Sequence, residues 1–159
     1  MMMDAILSNK YAAALLPMAA GCCFIFVCSL VKVPFYPVPM TMHTFAIFYL
    51  GLMQSPRNAC GSALLYLAAG TLNPSWMIGK CGGYFLSFPI AAYLISWSVQ
   101  KISPYLAILA GQGVIYSLGF LWLVPFVGIK IAFLKGVLFF LPSAVVKAAL
   151  AVKLAEARS

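Results

Sequence analysis

The chain is a series of long apolar runs separated by short breaks rich in proline, glycine and polar residues. The breaks fall at residues 32–39, 54–58, 73–80, 101–104 and 125–135. They leave six apolar segments, approximately 11–31, 40–53, 59–72, 82–99, 105–124 and 136–155. Runs this long with so few charges predict helices that cross a bilayer. A crossing needs about 20 residues, so the second and third segments are short. These two meet at the tight Ser55-Pro56-Arg57 turn. Such segments thin the bilayer locally or borrow loop residues such as Val38 and Pro39. The expected architecture is an all-α membrane protein, one integral membrane domain over residues 1–159 built as a six-helix bundle.

The breaks are unequal. The first, third and fifth are long and fall on one face, whereas the second and fourth are tight turns. This predicts one face capped by loops over a cavity and the other closed by short turns, because long connections with their own character tend to be functional. Charge does little to orient the bundle. With the N-terminus inside, Lys10, Arg57, Lys101, Lys153 and Arg158 would lie on the cytoplasmic side and Lys32, Lys80, Lys130 and Lys135 outside, five against four.

Composition supports the membrane reading. The chain is 65% hydrophobic and 8% charged, against about 45–50% and about 25% for a soluble domain. Its net charge of +8 reflects a lack of acids, since only Asp4 and Glu156 are acidic. The basic residues are scattered singly, as headgroup anchors are, which argues against nucleic-acid binding. The first apolar run begins near Tyr11 and is too long for a removable signal peptide. The five cysteines (Cys22, Cys23, Cys28, Cys60, Cys81) lack metal-ligand spacing and read as small buried apolar residues. One histidine, His43, builds no metal site alone. No phosphate-cradling glycine loop is present.

Few polar residues remain within the apolar segments: Thr41, His43, Thr44, Tyr66, Tyr84, Gln112, Tyr116, Ser143 and Lys147. Lys147 is the most informative. It has no acidic neighbour in its segment and lies about two helical turns or more from either end. An ionisable residue at that depth marks a polar cavity or an anionic ligand, with snorkelling to a headgroup as the alternative. A threonine in such a helix often bonds its own backbone. Gln112, between Gly111 and Gly113, calls for a partner across helices or on a ligand. Gly82-Gly83 opens a helix, where free N–H groups can meet a polar ligand. Gly119 and Gly136 read as packing residues. Trp76, Trp97 and Trp122 fall near span ends as interfacial anchors do, although Trp76 equally suits the lining of a site.

Several stretches together resemble the BioY family, the biotin-binding S components of energy-coupling factor (ECF) transporters. Val33-Pro-Phe-Tyr-Pro-Val-Pro-Met-Thr-Met-His-Thr-Phe45 is similar to the family's P-x-P-hydrophobic-T-x-Q-T-F opening. Ser55-Pro-Arg57, Leu64-Leu-Tyr66 and Gly70 follow its Gly-Pro-Arg … Leu-Leu-Tyr … Gly pattern. Gly82-Gly-Tyr-Phe-Leu-Ser-Phe88 resembles its Gly-Gly-Tyr … Gly-Phe signature. Tyr116, Gly119 and Trp122-Leu123 fit the fifth-helix pattern, and Phe140-Leu-Pro-Ser-Ala-Val-Val-Lys147 resembles the closing Phe-Leu-Pro-Gly-Asp-x-x-Lys motif. The chain departs from the family at His43, where the motif has glutamine, and at Ser143-Ala144, where it has Gly-Asp. Gly79-Lys80-Cys81 replaces Gly-Pro-Thr, and the first helix offers Ala12-Ala13-Ala14 and Ala19-Ala20-Gly21 rather than a small-xxx-small pattern.

The resemblance implies a six-helix S-component fold, multi-pass in a bacterial cytoplasmic (inner) membrane with both termini cytoplasmic. It implies biotin as substrate, held near the outer face beneath the first, third and fifth connections. A transmembrane coupling protein and two ATPase subunits are the implied partners. ATP would be hydrolysed by those subunits, and the chain itself would carry no cofactor. Family binding positions carry over to Thr41, Tyr84 and Lys147, with Asn73 also possible. Biotin needs an apolar slot, hydrogen bonds for its ureido group and a cation for its carboxylate. Tyr36, Trp76 and Tyr84 supply aromatic surface, Thr41 and Ser143 hydroxyls, and Lys147 and Lys80 cations; Gln112, Gly82 and Gly83 complete the expected set. An S component for another vitamin or small anionic solute is the alternative. An enzyme is disfavoured, because the chain has no acid pair, metal cluster or Ser/His/Asp set.

Overall fold

The structure, a computed structural model, describes residues 10–72 and 79–158. Its helices are α1 (Lys10–Leu30), α2 (His43–Met53), α3 (Pro56–Gly70), α4 (Gly82–Ser98), α5 (Pro104–Val127), α6 (Ile129–Gly136) and α7 (Leu141–Glu156). Between α1 and α2, β1 (Lys32–Val33) pairs antiparallel with β2 (Met40–Thr41), with Lys32 opposite Thr41. A 3-10 turn, Leu138–Phe140, joins α6 to α7.

Local chemistry explains most of these boundaries. Ser55 and Ser103 are extended, and each is followed by a proline in the first helical turn. There the missing N–H has no intrahelical partner to lose. Ser103 Oγ also accepts from Leu106 N at 3.4 Å, as a capping serine does. Gly128, at φ 81°, ends α5, since left-handed backbone suits glycine.

The observed segments differ from the sequence expectation in three places. The second helix starts at His43 rather than near residue 40, because Met40 and Thr41 are drawn into the strand pair. The fifth break is not a loop. Helix α5 continues past Pro125 to Val127, and α6 follows after Gly128 alone. The last segment is not one continuous helix from residue 136, because α6 and the 3-10 turn precede α7, which has Pro142 in its first turn.

Helix α4 is the centre of the bundle, packed against α2, α3 and α5, while α1 lies on α3 and α7 on α2. Close approach depends on small residues. Ile95 of α4 is held between Gly51 of α2 and Gly111 of α5, where an added Cβ would sit 2.7 and 2.4 Å from its side chain. Lacking a hydrophobic drive between helices, membrane bundles pack at such small-residue contacts. The outward faces are apolar, with Leu109, Leu121, Val145 and Val146 exposed. The stretches Ala13–Leu30, Pro104–Val127 and Ile129–Glu156 are each long and apolar enough to cross a bilayer, and His43–Met53 is a shorter apolar helix. The cysteines are free, and only Cys28 is buried. The expectation of five buried cysteines fails because Cys23 faces outward, where lipid tolerates it as readily as a core does.

At the end carrying the short turns, Gln54 ties helices together. Its Nε2 donates to Pro17 O of α1 at 2.8 Å, and its Oε1 accepts from Ser62 Oγ of α3 at 2.9 Å. Its main-chain carbonyl accepts from Ser96 Oγ of α4 at 2.5 Å.

Candidate functional site

The opposite end is organised by the start of α2. The β1–β2 pair and the bond from Met42 N to Val31 O (3.1 Å) fix the chain just before the helix. Thr41, His43 and Thr44 are thereby aimed at α3, α4 and α7. From α7, Lys147 reaches back to this start. Its Nζ donates to the Thr41 carbonyl at 2.7 Å and to Thr44 Oγ1 at 3.2 Å. The residue is 7% exposed. Both acceptors are neutral, so neither neutralises the ammonium, which also has a third N–H donor.

Lys147 borders a chamber of about 60 Å³ between α2, α4, α5 and α7. Thr41, Tyr84, Gln112, Tyr116 and Ser143 also line it. Ser143 Oγ donates to Phe140 O at 3.0 Å, and the Tyr84 hydroxyl to Gly136 O at 2.8 Å, so these two groups are satisfied within the protein. Gln112 differs. It is 6% exposed, and its Oε1 has no hydrogen-bond partner among the described residues. A buried carbonyl left without a donor costs about 1–3 kcal/mol. The chamber thus sets a charged donor and an unpartnered acceptor around one small space.

A larger cavity of about 590 Å³ adjoins it, and Pro39, Thr41, Cys81 and Phe85 line both. Its walls include the end of α1, His43, Tyr66 and the start of α4, and Lys32 and Lys80 line it as well. His43 is buried here. Its Nδ1 shares a hydrogen bond with Thr41 Oγ1 (2.8 Å) and its Nε2 with the Tyr66 hydroxyl (2.6 Å), while Phe85 and Phe88 pack on the ring. Small-molecule sites run to about 300–1,000 Å³. The chamber at Lys147 is therefore too small for a vitamin-sized ligand by itself, and the two spaces together are large enough.

Five of the expected residues, Lys147, Tyr84, Thr41, Gln112 and Ser143, meet around the smaller chamber. Three lie elsewhere. Tyr36 is 64% exposed and borders neither space; its hydroxyl accepts from Lys80 Nζ at 3.1 Å. Gly82 and Gly83 are buried and line neither space. A Cβ on Gly83 would lie 2.2 Å from Trp122 Cβ, so packing explains this glycine. Asn73 and Trp76 lie outside the described residues. Sequence reasoning left out Thr44, Tyr116, Tyr66 and His43 as site residues. Thr44 and His43 flank Thr41 within the same short polar run, which was the available signal.

Helical segments around a mostly apolar, partly enclosed double cavity that carries a few polar groups define an integral membrane solute-binding bundle. The chain belongs to the BioY family, which it matches over residues 3–159. It is 37% identical over 136 residues to the "Probable biotin transporter BioY" of Pyrococcus horikoshii, covering 79% of this chain and 83% of the relative. It is 27% identical over 155 residues to that of Rickettsia prowazekii, covering 88% and 80%. Its fold is similar to the crystal structure of the S-component for biotin from an ECF-type ABC transporter. The TM-score is 0.79 at 20% identity, covering 93% of this chain and 91% of that one. With α6 and α7 together forming one apolar stretch, Ile129–Glu156, the fold is thus the six-helix S-component bundle, and the family is one of membrane transport components rather than enzymes.

Proposed function

We propose that this protein binds biotin and carries it across the cytoplasmic membrane as the S component of an ECF-type transporter. The observation that carries this reading is the pairing of Lys147 with the unpartnered Gln112 Oε1 in one chamber. A carboxylate is acceptor-only and would leave Gln112 unsatisfied. A cyclic urea supplies a carbonyl for the ammonium and an N–H for the glutamine. The bicyclic head of biotin therefore points toward Lys147, and its valerate chain runs into the larger cavity. The carboxylate then meets Lys80 and Lys32, which line that cavity. This reverses the expectation that Lys147 takes the carboxylate.

In this reading, transport draws on a transmembrane coupling protein and two ATPase subunits, and both termini face the cytoplasm. Calorimetry on the purified chain tests the assignment with biotin and with its methyl ester. Tight biotin binding, with the ester weakened in the parent but not further in Lys80→Gln, is the expected pattern. No binding of biotin at all would overturn it. A mass spectrum of the co-purifying small molecule separates biotin from the alternative, another vitamin or small anionic solute.

A further inference from the structure

The Tyr66 hydroxyl, the His43 ring, Thr41 and the Lys147 ammonium form one continuous hydrogen-bonded string across the bundle. Its links measure 2.6 Å (Tyr66 Oη to His43 Nε2), 2.8 Å (His43 Nδ1 to Thr41 Oγ1) and 2.7 Å (Lys147 Nζ to the Thr41 carbonyl). It joins α3, the start of α2 and α7. Thr41 is the hinge of the string, because it lines both the small chamber and the large cavity. Its side chain is held by His43 and its main chain holds Lys147.

We infer that His43 is a positioning residue of the binding site, bracing Thr41 from Tyr66 so that the Thr41 hydroxyl and the Lys147 ammonium are set in register for the ligand. This rests on the biotin reading above and extends it to a residue that lines the larger cavity but not the chamber at Lys147. Three observations support a directing role over simple core filling. Both ring nitrogens are engaged, so the ring has no free rotation about its polar axis. The ring is packed between Phe85 and Phe88 at centroid distances of 5.3 and 5.8 Å, which fixes its plane. The side chain is 5% exposed, so most of it is shielded from solvent. A site holds its geometry when the supporting groups are themselves locked by packing and hydrogen bonds.

The chain contains one histidine, which makes the test direct. The full chain, purified through a histidine-free tag and labelled with imidazole-15N histidine, gives a single pair of ring nitrogen signals. In the ligand-free protein Thr41→Val is expected to move Nδ1 and Tyr66→Phe to move Nε2. Saturating biotin is expected to shift at least one of the two in the parent. His43→Phe, which keeps the ring volume, should weaken biotin binding about tenfold or more, and His43→Gln, which can bond at both ends, should restore it to within about threefold. Ring signals unmoved by saturating biotin, whether or not His43→Phe binds more weakly, would reduce His43 to packing and overturn the inference. Signals indifferent to both Thr41→Val and Tyr66→Phe would overturn it as well. A protein that gives no binding heat with biotin removes the biotin reading instead, and the ligand-free spectra still decide the string.

Discussion

Two glutamines at opposite ends of the bundle have opposite fates. Gln54 uses both ends of its amide, donating to Pro17 O and accepting from Ser62 Oγ, and its carbonyl takes Ser96 Oγ. Gln112 is buried with its Oε1 unpartnered. Both sit among apolar helices, where a polar group must find a partner. The satisfied amide welds α1, α3 and α4 and closes that end. The unsatisfied one keeps a place open for a ligand group at the other. In a bundle this apolar, the hydrogen-bond account of each polar side chain separates structure from function better than residue type does.

The largest effect should come from the functional end. Lys147→Met is expected to lower biotin affinity about tenfold to a hundredfold, because a charged hydrogen bond at a desolvated site contributes about 1.5–3 kcal/mol. The fold should persist, since methionine fills a similar volume and removes a buried ammonium. Calorimetry and a thermal melt on the same sample read the two quantities separately. Parental affinity in the variant would remove Lys147 from the site.

Gln54→Leu should show the reverse signature. It removes the bonds to Ser62 Oγ and the Pro17 carbonyl, while Ser62 Oγ keeps the Asn58 carbonyl at 2.8 Å, so a loss of about 0.5–1.5 kcal/mol for each lost bond is expected, with biotin affinity of the folded fraction changed by less than about twofold. A variant that melts like the parent but binds poorly would erase the contrast between the two ends. Gln112→Leu comes next in size. Removing the ligand's acceptor should cost about tenfold in affinity, while the unliganded protein should change in stability by less than about 1 kcal/mol, because the loss of an unpartnered buried carbonyl offsets the loss of the amide's other contact.

The contrast was only partly legible along the chain. Length and apolarity located the helical segments, since bilayer thickness constrains both. Lys147 stood out because an unneutralised charge in an apolar run has few explanations. What stayed hidden was direction. Gly83 reads equally as part of a ligand cradle and as packing, and only the position of Trp122 decides between them. Pro125 looked like a break, yet α5 runs through it to Val127. His43 looked like a departure from a family motif, and its two-sided bracing needs Tyr66, which lies 23 residues away. Such long-range pairing leaves no local period to read.

The smallest effect should come from Tyr36. Its ring lies at the edge of the ligand end, with Lys80 Nζ 4.3 Å and Lys135 Nζ 5.9 Å from the ring centroid. Exposed cation–π contacts contribute about 0.5–1 kcal/mol, and the ring borders neither cavity. Tyr36→Ala frees the two lysines without removing either charge, so the electrostatic pull on an anionic ligand stays. Biotin affinity should change by less than about threefold, whereas Lys80→Gln should slow association more at low salt than at high, because screening weakens an exposed charge. Stopped-flow binding at two ionic strengths measures both. A tenfold loss in Tyr36→Ala, independent of salt, would mean the ring packs on the ligand itself. The site would then extend beyond the two cavities to the exposed Tyr36 ring, and the unpartnered Gln112 would mark only its inner end.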